Sequence, residues 1–293
     1  MYNLVMKEIV IKTSEIIKSA LNILGISADA FAFSIGKDRA TVYRYMSGET
    51  NVPVDVLTKL LDLAYYHGVD ITKILNIADE DEYYYHATAS EIKFPINVHI
   101  NDGESRDFGY GFYLGENLRQ SSTWGKLGSS TIIYRFKRDK FKELSILDFN
   151  KMKSIDWLNY VAINRKKIDY QNYPKLFEKY FKLERNTDLI VGKIADSFSY
   201  EVLELLYKDK IDIDQAEYAT KIMALGNQLC LKNELFGVSL IPDEVIRYDN
   251  TLSEYFLHYS DLIQERENNN IELIINRTPN KERLFSNYIK ANE

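Results

Sequence analysis

Apolar positions recur at helical spacing early in the chain, at Ile9, Ile16, Ile17, Ala20, Leu21 and Leu24, and the run stops at Gly25, a natural C-cap. Ser27 is placed to cap a second helix over Ala28–Ile35, closed by Gly36, and Asp38 a third over Arg39–Met46, ended by Gly48. Pro53 opens a fourth helix at its first turn, with Val54, Leu57, Leu60, Leu61 and Leu63 or Ala64 facing inward. Ile71–Ile77 adds a short fifth. Up to residue 78 the pattern predicts helix throughout and no strand.

After an acidic hinge at residues 78–82 the pattern changes to short β-rich runs: 83–88, 111–115, 130–136, 144–149, 188–194 and 227–232. Helical patterns lie between them, near Leu118–Lys126, Ile155–Ile163, Pro174–Lys182, Ser199–Lys208 and Ile213–Met223. Strands and helices interleave without the regular alternation or glycine fingerprint of a doubly wound dinucleotide fold, so the expected class is α+β. A terminal helix is expected from Asn250 to the Asn268–Asn270 run, then a short strand at 271–275 and a helical or loose tail. The expected domains are residues 1–78, 79–249 and a C-terminal helical extension, 250–293.

Composition narrows the function classes. The 293 residues are 45% hydrophobic and 13% aromatic, enough for a sizeable core. A net charge of −6 excludes a globally basic nucleic-acid binder, so nucleic-acid contact requires a local patch. One cysteine excludes an intrachain disulfide framework and a cysteine-rich zinc site, and fits a reducing compartment. With neither a signal-peptide core nor a long apolar run, the expectation is a cytoplasmic chain without membrane partners. No His/Asp/Glu spacing suggests a metal site, and none is expected.

Three words carry chemistry. The first is Tyr85-His86-Ala87-Thr88, at the end of an aromatic strand, where an imidazole and a backbone amide can meet one ligand. In the second, residues 107–114, Gly109 and Gly111 flank Tyr110 and permit a tight turn or close approach to a ligand. Tyr113 and Trp124 across the following turn suit two walls of a slot for a flat ring. The third is Asn227-Gln228-Leu229-Cys230-Leu231, where Gln228 supplies a donor and an acceptor. Cys230 is expected to be buried and inert, and His67, His99 and His258 to be incidental.

Residues 30–64 resemble the helix-turn-helix of the Cro and phage-repressor type. The resemblance implies that Ala32–Ile35 cross the phosphate backbone and that the helix after Asp38 lies in the major groove. It places Arg39, Thr41 and Arg44 at base edges and Lys37 on phosphate. Residues 1–75 carry 8 basic and 8 acidic side chains, so counterion release contributes little and a helical interaction or dimerisation module is the competing reading. Helix-turn-helix units of this type commonly act as homodimers.

From about Tyr83 to Leu240 the ordered words resemble the ADP-ribosyltransferase fold of the diphtheria-toxin and poly(ADP-ribose) polymerase branch, a split mixed β-sheet with helices. They also look like a bacterial family of unknown function often paired in toxin–antitoxin-like operons. Besides the three words, 156–165 and 188–196 match. The resemblance implies that NAD is the substrate. It gives His86 the adenosine ribose, Ala87 the nicotinamide carboxamide through its backbone, and Thr88 an added hydroxyl. Gly109 and Gly111 form the turn, Tyr113 stacks on nicotinamide, Trp124 is a second stacking aromatic, and Gln228 stands where the catalytic Glu belongs. The catalytic set is then His86, Tyr113 and Gln228.

Two departures matter. Ala87 replaces Gly, which is tolerable where φ stays negative. Gln228 replaces Glu, bringing no charge and no base, which disfavours chain elongation and leaves single transfer or slow NAD hydrolysis. Glu234 or Asp196 supplies the missing carboxylate if the fold brings it to the cleft; otherwise Glu234 is a solvated strand-end charge and Asp196 a helix N-cap. Asn164 and Arg165 bind pyrophosphate or an acceptor, or else cap their helix. The leading expectation is a mono-ADP-ribosyltransferase of toxin or defence type, acting on a protein or nucleic-acid acceptor, with DNA or a cognate antitoxin as further partner. The alternative is a non-catalytic DNA-binding transcriptional regulator whose degenerate transferase fold senses NAD; a purely structural module is the third class.

Overall fold

The computed structural model describes residues 6–77, 82–100, 105–124, 130–195, 197–222, 226–259, 274 and 276–292. The chain divides into two compact units, one built from Met1–Ile92, Glu116–Lys140 and Ile241–Ser260, the other from Lys93–Gly115, Phe141–Leu240 and Asp261–Glu293.

In the first unit five helices follow one another: α1 (Thr13–Leu24), α2 (Ala28–Ser34), α3 (Arg39–Ser47), α4 (Val54–Tyr66) and α5 (Ile71–Leu75). Caps set their ends as the sequence suggests. Ser27 accepts the Ala30 amide at 3.1 Å and Asp38 the Thr41 amide at 2.8 Å. The buried face of α4 is Val56, Leu57, Leu60, Leu61 and Ala64, while Val54 is only half-buried.

The expectation of no strand before residue 78 is corrected by β1 (Lys7–Ile11), which pairs in parallel with β8 (Glu244–Tyr248). Only Ile11 of β1 is buried, so its own pattern is too weak to announce a strand, and the partner lies at the far end of the chain. The start of α1 has an equally distant cause: with no side-chain cap from Lys12, Thr13 instead meets Asp249, which accepts the Thr13 amide at 2.7 Å.

β8 pairs antiparallel with β4 (Ile132–Lys137), which pairs antiparallel with β2 (Tyr83–Thr88). The short helix α6 (Leu118–Ser122) and α12 (250–259) complete the unit. One apolar cluster joins Ile16, Leu57, Leu60 and Ile74 of the helices to Tyr85, Ile133 and Ile246 of the strands. The helix-turn-helix and these strands therefore share one core.

The second unit orders its strands β3 (Phe112–Gly115), β7 (Asn227–Leu231), β6 (Leu189–Lys193), β5 (Ile146–Asp148). The first two contacts are antiparallel and β6–β5 is parallel. Helices α7 (Ser154–Asn164), α8 (Pro174–Glu184), α9 (Ser197–Tyr207), α10 (Ile213–Ile222), α11 (Glu234–Ser239) and α13 (Phe285–Asn292) belong to it. Its core gathers Phe108, Trp157, Leu158, Ile190, Leu203 and Cys230. All six β-rich runs read from the sequence form strands, and the mixed α+β class holds. The expected strand at 271–275 falls almost wholly outside the described residues, as does most of the acidic hinge. Among the described residues no single helix is long and apolar enough to cross a membrane.

Candidate functional site

The helix-turn-helix presents Lys37, Arg39 and Arg44 at its surface, with Thr41 half-buried. Each of the last three is held locally. Asp38 accepts both the amide and the hydroxyl of Thr41 at 2.8 Å, which holds its carboxyl below the usual carboxylate range. Arg44 donates to the Thr41 hydroxyl at 3.1 Å. Arg39 forms an ion pair with Asp29 at 2.9 Å and donates to the Tyr43 hydroxyl at 3.3 Å. Arg39 is thus already engaged by an acid of the preceding helix. Phe33, on the preceding helix, is 89% exposed.

Also in the first unit, β2 alternates: Tyr83, Tyr85 and Ala87 are buried, while Tyr84, His86 and Thr88 share the half-exposed face. Its register sets His86 opposite Tyr134, Ala87 opposite Ile133 and Thr88 opposite Ile132. The described non-glycine residues with positive φ are Asn76, Lys166 and Asp209, so Ala87 keeps ordinary extended backbone and its methyl group brings no strain. Arg138 lies over the Tyr84 ring at 4.8 Å and donates to the Tyr83 and Glu116 carbonyls at 3.1 Å. That puts a cation, missed in the sequence, on the strand face that carries His86. Trp124 follows α6 and packs half-buried against the core of the same unit.

The second unit holds the other two words together. Gly109 has φ +71° and Gly111 φ +146°, and a Cβ on Gly111 would lie 2.2 Å from the Cys230 sulfur, so the loop needs glycine at both places. Tyr113 folds back on this loop: its hydroxyl donates to the Gly109 carbonyl at 2.7 Å and accepts the Phe108 amide at 3.0 Å. Burial pushes that hydroxyl well above its ordinary pKa. The Tyr113 ring stacks on Phe108 with centroids 6.4 Å apart, within the core.

Lys232 donates to the Phe108 carbonyl at 2.5 Å, pairs with Glu184 at 2.9 Å and sits 4.1 Å from the Tyr110 ring, on which the His99 ring stacks at 4.7 Å. Cys230 donates to the Tyr110 carbonyl at 3.4 Å, and burial pushes its thiol up to about 12, in keeping with an inert residue.

At the head of the loop Asp107 is 4% exposed. One of its oxygens accepts Arg165 Nε at 2.9 Å and Nη2 at 2.6 Å; the other accepts the Ala195 amide at 2.9 Å and Gln228 Nε2 at 2.6 Å. Burial pushes the Asp107 carboxyl up, and these donors, Arg165 foremost, pull it back. Arg165 therefore serves this carboxylate, and Asn164 donates to the Tyr160 carbonyl at 2.9 Å at the end of α7. Gln228 is 4% exposed, with its amide nitrogen committed to Asp107. Glu234 lies exposed in the first turn of α11, and Asp196 is outside the described residues. The buried carboxylate near Gln228 is thus Asp107, whose only sequence signal was its place at the head of the glycine word. Among the described residues no cluster of His, Cys, Asp and Glu suits a metal ion.

The helix-turn-helix family profile matches residues 17–63, covering α2 and α3. No curated protein and no solved structure matches the chain. The family described as "protein of unknown function (DUF3990)" matches residues 83–238, more than half of the chain and all three words of the site, and the chain belongs to that family.

Proposed function

We propose that this is a DNA-binding protein whose DUF3990 region takes NAD as substrate and transfers a single ADP-ribose to a protein or nucleic-acid acceptor. The observation that carries the reading is the ordered set of His86 on the half-exposed face of β2, Tyr113 in β3 above the glycine loop, and Gln228 opening β7. His86 and Thr88 offer polar groups to a ribose and a carboxamide, and Arg138 puts positive charge on the same strand face for a diphosphate. In the reaction the bond between nicotinamide nitrogen and ribose C1′ breaks, and its electron pair leaves with neutral nicotinamide. The acceptor's nucleophile bonds to C1′ and gives up its proton. The developing oxocarbenium cation is stabilised by oriented dipoles more than by a base. The helix-turn-helix supports a site of action on DNA or self-regulation of the operon, and a cognate antitoxin is the protein partner this reading admits.

One observation favours a second reading, a regulator that binds NAD without turning it over. Gln228 spends its amide nitrogen on Asp107 and Tyr113 its hydroxyl on Gly109, so neither is a ready base. The test is incubation of the full chain with NAD labelled on the adenylate, with and without cell lysate and duplex DNA. Nicotinamide release and label transfer are followed together, with His86→Ala as control. Transfer reduced at least about tenfold in His86→Ala is expected for a transferase. A thermal shift with NAD but no product selects the regulator. Neither product nor shift overturns both NAD readings.

A further inference from the structure

Gln228 stands where the resemblance expects a catalytic carboxylate, and its surroundings supply a physical reason for the amide. Its Nε2 is 2.6 Å from Asp107 Oδ2 and 3.3 Å from the Lys193 carbonyl, two acceptors that both require a donor. An ionised glutamate there would set two carboxylates against each other with no proton between them. Asp107 in turn pins the loop: Arg165, bound to its other oxygen, also donates to the Ser105 carbonyl at 2.7 Å. The carbonyls beyond it, at Phe108, Gly109 and Tyr110, are taken by Lys232, Tyr113 and Cys230. The head of the loop therefore rests on one carboxylate that Arg165, Ala195 and Gln228 share, and Gln228 is the donor that a change to Glu removes.

We propose that Gln228 is a positioning residue: its amide nitrogen locks Asp107 and with it the 105–111 loop, and its carbonyl oxygen is the acceptor left for a ligand donor, a sugar hydroxyl. The negative charge of Asp107 polarises the amide, so the carbonyl is a stronger acceptor than an isolated glutamine's while staying uncharged. The second half of this inference rests on the NAD-site reading; the lock does not. On this view the amide is what the loop demands, and restoring the usual glutamate damages the site.

The experiment compares thermal unfolding of the full-length wild type, Gln228→Glu, Asp107→Asn and the double variant Asp107→Asn/Gln228→Glu between pH 5 and pH 8.5. In Gln228→Glu one of the two facing carboxyls acquires a raised pKa. Above that pKa both are ionised and the fold is weakened; below it the retained proton lets the introduced carboxyl donate as the amide did. The expected result is a Tm deficit of roughly 5 °C or more at pH 8.5 relative to wild type, shrinking to about half or less at pH 5.

The double variant, which sets one amide against one carboxylate but turns the new amide group at position 107 towards Arg165 or the Ala195 amide, should recover only part of the loss at pH 8.5. Among the described residues the other charged or titratable groups near the pair are Arg165 just after α7, Lys193 of β6, Cys230 of β7, Lys232 just after it, Tyr113 of β3 and Arg106 in the loop. They are common to wild type and Gln228→Glu, so the difference between those two isolates the carboxyl pair. A Gln228→Glu protein as stable as wild type at pH 8.5, or a deficit independent of pH, overturns the lock. Nicotinamide release measured on the same four proteins addresses the NAD reading separately. Wild type without turnover counts against that reading and leaves the pH profile of stability to decide the lock.

Discussion

The helix-turn-helix surface and the glycine loop of the second unit hold their polar residues in opposite ways. On the surface the polar contacts of α3 are local or nearly so: Asp38 caps Thr41, Thr41 steadies Arg44, and Arg39 reaches Tyr43 and Asp29. In the loop, Asp107 meets residues 58, 88 and 121 positions away, and the Phe108 carbonyl meets Lys232 across 124. Exposed groups need only short-range partners because water satisfies the rest. A buried carboxylate must have every lone pair met by protein, and only distant segments can converge to do that. The first arrangement can exchange its partners for a ligand at little cost; the second is fixed before any ligand arrives.

The sharpest way to break this contrast is Gly111→Ala. A methyl group 2.2 Å from the Cys230 sulfur on a backbone at φ +146° should cost about 3 kcal/mol or more. Urea unfolding followed at Trp157, in a Trp124→Phe background, checks it; an unchanged midpoint would show that the loop yields easily. In the first unit Leu57→Ala should cost about 2–5 kcal/mol, because Leu57 is fully buried. Since its cluster also contains Ile133 and Ile246, hydrogen exchange should quicken in β4 and β8 as well as in α4. Exchange confined to the helices would argue against a shared core.

Asp249→Ala comes next, at about 2 kcal/mol, since it removes the acceptor for the amides of both Thr13 and Leu252. The expected readout is a lowered urea midpoint at Trp124, and a neutral result would mean that water replaces the carboxylate.

Effects on the exposed face should be smaller and read as binding. Arg39→Ala should weaken affinity for a duplex about tenfold, and Asp29→Asn should raise it a few-fold by releasing Arg39, in anisotropy titrations at fixed salt. If Asp29→Asn also weakens binding, the ion pair positions Arg39 instead of competing for it. Smallest of all is the response of Cys230. With its thiol pushed up to about 12 by burial, alkylation at pH 8 should be undetectable in the folded protein and appear only as the second unit opens. Fast labelling under native conditions would show that the loop is not locked.

Local physics made much of the molecule legible in the sequence. The caps at Ser27 and Asp38, the stop at Gly25 and the α4 face around Leu57 and Leu60 depend on neighbours a few residues away. The six β-rich runs likewise declared themselves through their own apolar content. β1, α11 and β8 did not, the first because just one of its residues is buried, the second because only Gly237 is, and β8 because Glu244 and Arg247 break up a short run although Val245, Ile246 and Tyr248 are buried. The three words of the site were visible as words, yet what Gln228, Arg165 and Tyr113 touch was not. Asp107 accepts from Arg165 just after α7, from Ala195 beyond β6 and from Gln228 at the start of β7 at once, and no periodicity records such a meeting.

Residue order alone therefore determined the helical N-terminal run, the α+β class and the places where chemistry is concentrated, because caps, turns and hydrophobic repeats act over a few residues. Tertiary structure decided that β1 belongs beside β8, that Asp249 starts α1, and that the amide of Gln228 stands against Asp107. Pairing and the satisfaction of buried charge are settled by whichever groups the folded chain brings within hydrogen-bonding distance.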